Sequence, residues 1–190
     1  MKIGIPSEIK AQESRVGLTP LSVQELTNHG HDVLVQHNAG YGAGFENEDY
    51  EKAGAKIATT AGDVFNDSDM IVKVKEPQIE EVKMLRENQI LFTYLHLSAA
   101  PELTKGLVKS KSICIAYETV TDEHKHLPLL APMSAVAGRM SIQAGAHSLE
   151  KPQGGRGLLI GGAPGVNPAN VLILGGGVVG ENAATIATGM

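Results

Sequence analysis

Residues 171–190 read VLILGGGVVGENAATIATGM. The four apolar residues 171–174 have the composition of a short buried strand. Gly175, Gly177 and Gly180 follow at G-x-G-x-x-G spacing, Ala183 stands three residues further on, and the sequence turns helix-like from Glu181. Strand, glycine turn and helix in that order are the fingerprint of a dinucleotide-binding unit. The first glycine permits a tight turn, and the second lets backbone approach a pyrophosphate. The third lets helix pack on strand, with the helix N-terminus facing the anion. The acidic residue that holds the ribose hydroxyls is expected about 20 positions later, past Met190. The expectation is a nucleotide-binding domain that this chain opens and does not complete. A strand begun at Val171 without neighbours predicts exposed apolar surface and aggregation.

Upstream, short β-type runs alternate with helical patterns. Strands are expected at Lys2–Ile5, Asp32–Gln36, 70–74, 90–95 and 112–117, with a weaker one at Lys56–Ala58; helices are expected at 21–29, 79–87 and 101–109. Pro20, Pro77 and Pro101 sit near the first turns of those helices, where a missing N–H is tolerated. Alternating β and α elements predict an α/β fold, a doubly wound, mostly parallel sheet with helices on both faces. From Leu127 the texture changes to LPLLAPMSAVAGRMSIQAGAHSLEK, rich in Ala, Gly and Ser, which predicts one long small-residue helix over 132–150. Such a helix packs closely against a second one, connecting two domains or lying at a subunit interface. The predicted organisation is a domain over 1–130, then 131–190 as the connecting helix and the first strand–turn–helix of a Rossmann domain.

The bulk numbers exclude several classes. With 190 residues, 42% of them hydrophobic, there is enough apolar material for a core, and a net charge of −5 gives no reason to expect nucleic acid or an anionic membrane. The single Cys114 cannot form an internal disulfide, which fits a reducing cytoplasm. MKIGIPSEIK lacks the apolar core of a signal peptide, and no apolar run is long enough to span a bilayer.

In open parallel sheets, ligands bind beyond the carboxyl ends of the strands. Four chemically capable residues fall there: Arg15 after the first strand, Lys75 after IVKV, His96 after ILFTYL and Glu118 after SICIAY. Guanidinium, ammonium, imidazole and carboxylate together suit a small acidic substrate. Arg15 matches a carboxylate bidentately, Lys75 polarises a carbonyl or pairs with a carboxylate, and His96 moves a proton near neutral pH. Each has a second reading by itself: Arg15 as a solvated loop charge, one of Lys73 and Lys75 as a plain exposed charge, His96 as a hydrogen-bonded structural histidine, and Glu118 as a local cap. A glycine-rich turn also occurs without nucleotide. His124 and His126 read as a solvated loop rather than a metal site, and His29, His31 and His37 as surface. Cys114 reads as core, and Phe92 and Tyr94 as strand interior. No metal site, Ser-His-Asp arrangement, CxxC pair or P-loop is visible.

Seven segments, in order, resemble the alanine dehydrogenase family: IGIPSEIKAQESRVGLTP, VKVKEP, LFTYLHLSAAP, AYETV, LPLLAPMSAVAGRMSIQAGA, QGGRGLLIGGAPGV and ILGGGVVGENAA. Gly17 stands where alanine is common in that family. The resemblance implies reversible NAD-dependent oxidative deamination of L-alanine to pyruvate and ammonium. Arg15 and Lys75 would bind the substrate carboxylate and carbonyl oxygen, and His96 would be the acid/base group. Ser134, Gly175, Gly177 and Gly180 would contact the cofactor, NAD. Glu118 remains a partner of the groups around it. The resemblance further implies a cytoplasmic homo-oligomer, and a C-terminal half carrying a catalytic aspartate, without which these residues are expected to be inactive. The NAD-binding component of proton-translocating transhydrogenases shares RV-x-LTP, a KV-x-EP-like motif and the fingerprint. His96 favours the dehydrogenase, since hydride exchange between nicotinamides needs no acid/base group. A non-catalytic chain pairing with intact subunits through the small-residue helix is the third alternative.

Overall fold

Parallel strands need crossovers, and the sequence supplies a helix after nearly every strand. The computed structural model describes all residues from Met1 to Met190, and contacts divide it into two compact units, Met1–Val120 and Thr121–Met190. In the first unit β1 (Lys2–Ile5) leads to α1 (Pro20–Asn28), β2 (Asp32–Gln36), α2 (Asn47–Lys52), β3 (Lys56–Ala58) and α3 (Ala61–Asp67). Then follow β4 (Met70–Val72), α4 (Ile79–Val82), β5 (Ile90–Thr93), α5 (Pro101–Ser110) and β6 (Ile113–Ala116). All six strands are parallel, in the order β3-β2-β1-β4-β5-β6.

The pleat sorts the side chains between two cores. Val33 and Val35 of β2 join Ile5, Val23 and Tyr50 on the face covered by α1 and α2. Leu34, between them, joins Val64, Phe65, Ile71, Leu91 and Leu107 on the face covered by α3, α4 and α5. That alternation is what a sheet buried on both faces imposes. Burying Phe65 or Tyr50, each 1% exposed or less, contributes on the order of 2–3 kcal/mol apiece.

Helix starts follow local chemistry. Thr19 accepts from the Ser22 amide at 3.3 Å, with Pro20 in the first turn of α1. Thr60 and Asp63 bond reciprocally around the start of α3. The expected helix over 79–87 is shorter: α4 is one turn, because Gln89 and Arg86 turn inward to bond carbonyls at the end of α3.

In the second unit the long helix is α6 (Ala131–Ser148), and α7 spans Val178–Gly189. Gly138 lies where the two cross: a Cβ there would overlap the Val179 carbonyl oxygen. Ile142, Ile160 and Ala183 form the small core around that contact. The strand expected over 171–174 is not formed. Those residues have no ladder partner, and a strand exists only through its neighbours' hydrogen bonds. Leu172 and Leu174 are accordingly 85% and 89% exposed.

Replacing both with glutamate is expected to reduce binding of an apolar dye and raise the aggregation-onset concentration. The unfolding free energy should change by no more than about 0.5 kcal/mol, as for surface sites. Loss of cooperative unfolding in that double variant would show instead that the two leucines belong to a core.

Candidate active site

The sheet reverses its order of growth at β1, which pairs with β2 on one side and β4 on the other. The connections leaving β1 and β4 therefore diverge, opening a crevice at the carboxyl ends of the strands. The four strand-end residues lie on that side, and the structure brings Lys75 and His96 together: Lys75 Nζ is 3.5 Å from His96 Nε2.

Arg15 is anchored by a residue the sequence reading did not single out. Its Nε and Nη2 donate to the two oxygens of Glu13 at 2.8 and 2.6 Å, and its backbone N–H donates to the same carboxylate. This is the side-on, two-pronged carboxylate grip of arginine. The hydrogen bonds from Arg15 hold the Glu13 carboxyl down at about 2, with the Lys75 charge helping. Gly17 allows this loop to lie against β4, since a Cβ there would come within 2.7 Å of the Val72 carbonyl oxygen.

Lys75 is fixed through its backbone. Its carbonyl accepts from Thr93 Oγ1 at 2.9 Å, and its amide faces Glu8 Oε1 at 3.4 Å, the same oxygen that accepts from Val74 N at 2.6 Å. Its ammonium has Glu76 Oε2 at 3.7 Å, and Glu76 also pairs with Lys10. Of the two lysines of VKVK, Lys73 is the buried one, at 1% exposure. Its Nζ lies 2.6 Å from Glu81 and 3.2 Å from Glu8, both carboxylates almost sealed from water. The other Glu81 oxygen accepts from the Gln78 amide at the start of α4. Burial pushes the Glu81 carboxyl up, against the opposing pull of Lys73. This network joins the loop after β1 to the end of β4, and so the arginine-bearing loop to the lysine-bearing one.

His96 has φ +50°, ψ +38°, the left-handed conformation, and opens the short helical turn Leu97–Ala99. For a residue with a Cβ that conformation costs roughly 1–2 kcal/mol. Tyr94 stacks on the imidazole, ring centroids 6.0 Å apart and planes 13° from parallel. Tyr117 meets Tyr94 edge-on at 5.0 Å. Glu118 accepts from the backbone amides of Leu95 and His96 at 3.1 and 2.8 Å. Burial would raise its carboxyl, but these amide bonds prevail and hold it low.

The other predicted residues lie within the second unit. Ser134, Gly175, Gly177 and Gly180 line one cleft of about 730 Å³ between α6, α7 and residues 169–174, a size suited to a small organic ligand. Gly175 has φ +104°, and a Cβ at Gly175 or Gly177 would meet nothing within 4 Å. A Cβ at Gly180 would collide with the Gly175 carbonyl. The turn thus leaves open backbone on its outer side and close packing on its inner side, with the first-turn amides of α7 lacking intrahelical partners. Open backbone with free amides at a helix N-terminus is the geometry that suits an anion.

The first unit is a doubly wound sheet with a cationic, imidazole-bearing crevice, and in the second a glycine turn opens a helix, as in dinucleotide-binding domains. Comparison with known proteins makes this particular. Residues 4–137 match the model of the alanine dehydrogenase/PNT N-terminal domain, and residues 141–190 that of the alanine dehydrogenase/PNT C-terminal domain. The chain belongs to this family. Over all 190 residues it is 59% identical to the alanine dehydrogenase of Halomonas elongata and 55% identical to that of Bacillus subtilis, covering 51% and 50% of those proteins. It superposes on a solved L-alanine dehydrogenase with a TM-score of 0.91 at 54% identity, covering all of this chain and 52% of that one. A transhydrogenase structure from Sinorhizobium meliloti follows at a TM-score of 0.81 and 25% identity, with 99% of this chain and 56% of that one covered. The chain spans about half the length of the curated relatives it matches.

Two measurements test this geometry. Lys73→Met leaves two buried carboxylates facing each other, so urea unfolding of the first unit should show a loss of about 3–5 kcal/mol; a loss below about 1 kcal/mol would mean the pair is solvated. Carboxyl-carbon NMR should place the Glu13 midpoint near 2 rather than the ordinary 4.5. Because the folded value is the depressed one, the Glu13–Arg15 pair stabilises the fold above about pH 4.5 and ceases to as pH falls through about 2. Arg15→Ala should return that midpoint toward the ordinary value.

Proposed function

We propose that this protein catalyses the reversible oxidative deamination of L-alanine, converting alanine, NAD⁺ and water to pyruvate, ammonium, NADH and a proton. The observation that carries the reading is the meeting of Lys75 and His96, Nζ to Nε2 at 3.5 Å, in the crevice to which the loop of Arg15 also belongs. Family membership points the same way.

Arg15 and Lys75 supply the positive charge for the substrate. Glu13 holds Arg15 by its Nε and Nη2 edge, and the guanidinium charge so placed attracts the substrate carboxylate while Lys75 faces the carbonyl oxygen. Fixed charges of this kind stabilise negative charge on oxygen without reorganising. A nicotinamide cofactor, held at Ser134 and the turn of Gly175, Gly177 and Gly180, supplies the hydride acceptor for the α-carbon when bound. His96 Nε2 takes a proton from the water that adds to the imine carbon, and gives it to the amine nitrogen as ammonia leaves. The unpaired Cys114 supports a reducing, cytoplasmic setting, and the family resemblance supports a homo-oligomer.

The test is NADH oxidation by pyruvate and ammonium, on the chain completed with the C-terminal half of its Bacillus subtilis relative. Turnover is expected. His96→Ala should lower kcat by about 10²–10⁴, whereas Arg15→Ala should act chiefly on the KM for pyruvate. A completed chain that folds and binds NADH yet turns over neither pyruvate nor a close 2-oxo acid would sink the reading.

A further inference from the structure

A left-handed histidine at a strand end raises the question of what holds it there. β5 ends at Thr93, and the amides of Leu95 and His96 lie beyond the hydrogen-bonding ladder. Both donate to one oxygen of Glu118, Oε1, at 3.1 and 2.8 Å, while Oε2 stands 3.3 Å from the Leu95 amide. Glu118 itself lies in the turn Tyr117–Thr119 directly after β6, the strand paired with β5. The carboxylate therefore reaches across from the neighbouring strand end, two residues past the last register pair of β5 and β6, Thr93 with Ala116.

Its bonds run to the backbone. The imidazole has other neighbours: the Tyr94 ring stacked on it and the Lys75 ammonium at Nε2. Glu118 thus governs the peptide that carries His96, and Tyr94 the plane of its ring.

We propose that Glu118 is a positioning residue for His96. By accepting two consecutive amides it fixes the Leu95–His96 peptide, from which the left-handed turn at His96 carries the imidazole toward Lys75. What the function requires is an acceptor oxygen at the Oε1 position, not the negative charge. Two aligned N–H groups converging on one oxygen form a small nest, and its geometry is set by where the acceptor sits.

The distinction makes the proposal testable by three variants of the 190-residue chain. Glu118→Gln keeps an acceptor oxygen and loses the charge. Glu118→Asp keeps the charge but withdraws the oxygens by one methylene. Glu118→Leu loses both. The readout is the amide proton and backbone carbon shifts of Leu95 and His96 by NMR, with near-ultraviolet circular dichroism as a check on folding. The hydrogen-bonded amide shifts should persist in the glutamine variant and be lost in the aspartate and leucine variants. Persistence in all three, or loss in glutamine with retention in aspartate, overturns the proposal. If the leucine variant does not fold, the glutamine–aspartate contrast decides alone.

A kinetic arm, which rests on the proposed reaction, uses the completed chain. Glu118→Asp should lower kcat roughly tenfold or more, as for a displaced catalytic group, with the pyruvate KM changed less than about twofold. Glu118→Gln should recover most of the turnover. Equal kcat values in both variants overturn the proposal, whereas absence of turnover in the unsubstituted completed chain tells against the reaction and leaves the NMR arm to decide the positioning.

Discussion

β1 is hydrogen-bonded on both sides by strands that the chain reaches in opposite directions, and everything in the crevice follows from that double pairing. Ile3 and Gly4 of β1 oppose both Val33 and Leu34 of β2 and Met70 and Ile71 of β4. Gly4 has no room for a side chain, because a Cβ there would press on Val64 and Ser68. With α3 this close to the central strand, the loops leaving β1 and β4 have only the carboxyl edge to occupy. One carries Arg15 and the other Lys75. The buried Glu8–Lys73–Glu81 network then ties those loops to each other and to the start of α4. It places ionic bonds where water is excluded, an arrangement that is costly to break and so resistant to local drift.

Much of the first unit was legible in the sequence, because β-branched runs in a sheet buried on both faces read as near-continuous apolar stretches. KIGI and DVLVQ are such runs, whereas ICIA, in the edge strand β6, leaves Ile113 and Ile115 exposed. The short helices α2 and α3 were harder to see: six and seven residues are less than two full turns of periodicity. The strand expected at 171–174 failed for a different reason. Its residues have strand composition, but strand structure depends on neighbours as well as composition.

The site was legible in part. Arg15, Lys75, His96 and Glu118 stand at strand ends, where a topological rule finds them without any contact information. Glu13, Glu8 and Tyr94 were missed. Glu8 and Glu13 lie in PSEIKAQES, whose polarity reads as solvated loop, and only the approach of β4 makes Glu8 a buried anion. Tyr94 reads as strand interior, yet its ring lies against the imidazole two residues on. The motif VKVK was the available signal: a lysine set among buried valines in a sheet covered on both faces needs an anion.

The crossing of α6 and α7 acts as a gauge. At Gly138 the helix carrying Ser134 rests directly on backbone of the helix that follows the glycine turn, with the Val179 carbonyl in contact and Asn182 bonded to Arg139 beside it. Ser134 lies one helical turn from that fulcrum. The width of the cleft between Ser134 and the turn is therefore set by the absence of a single methyl group at position 138. Any side chain there would act as a wedge, lifting one wall of the cleft while leaving the residues that line it unchanged.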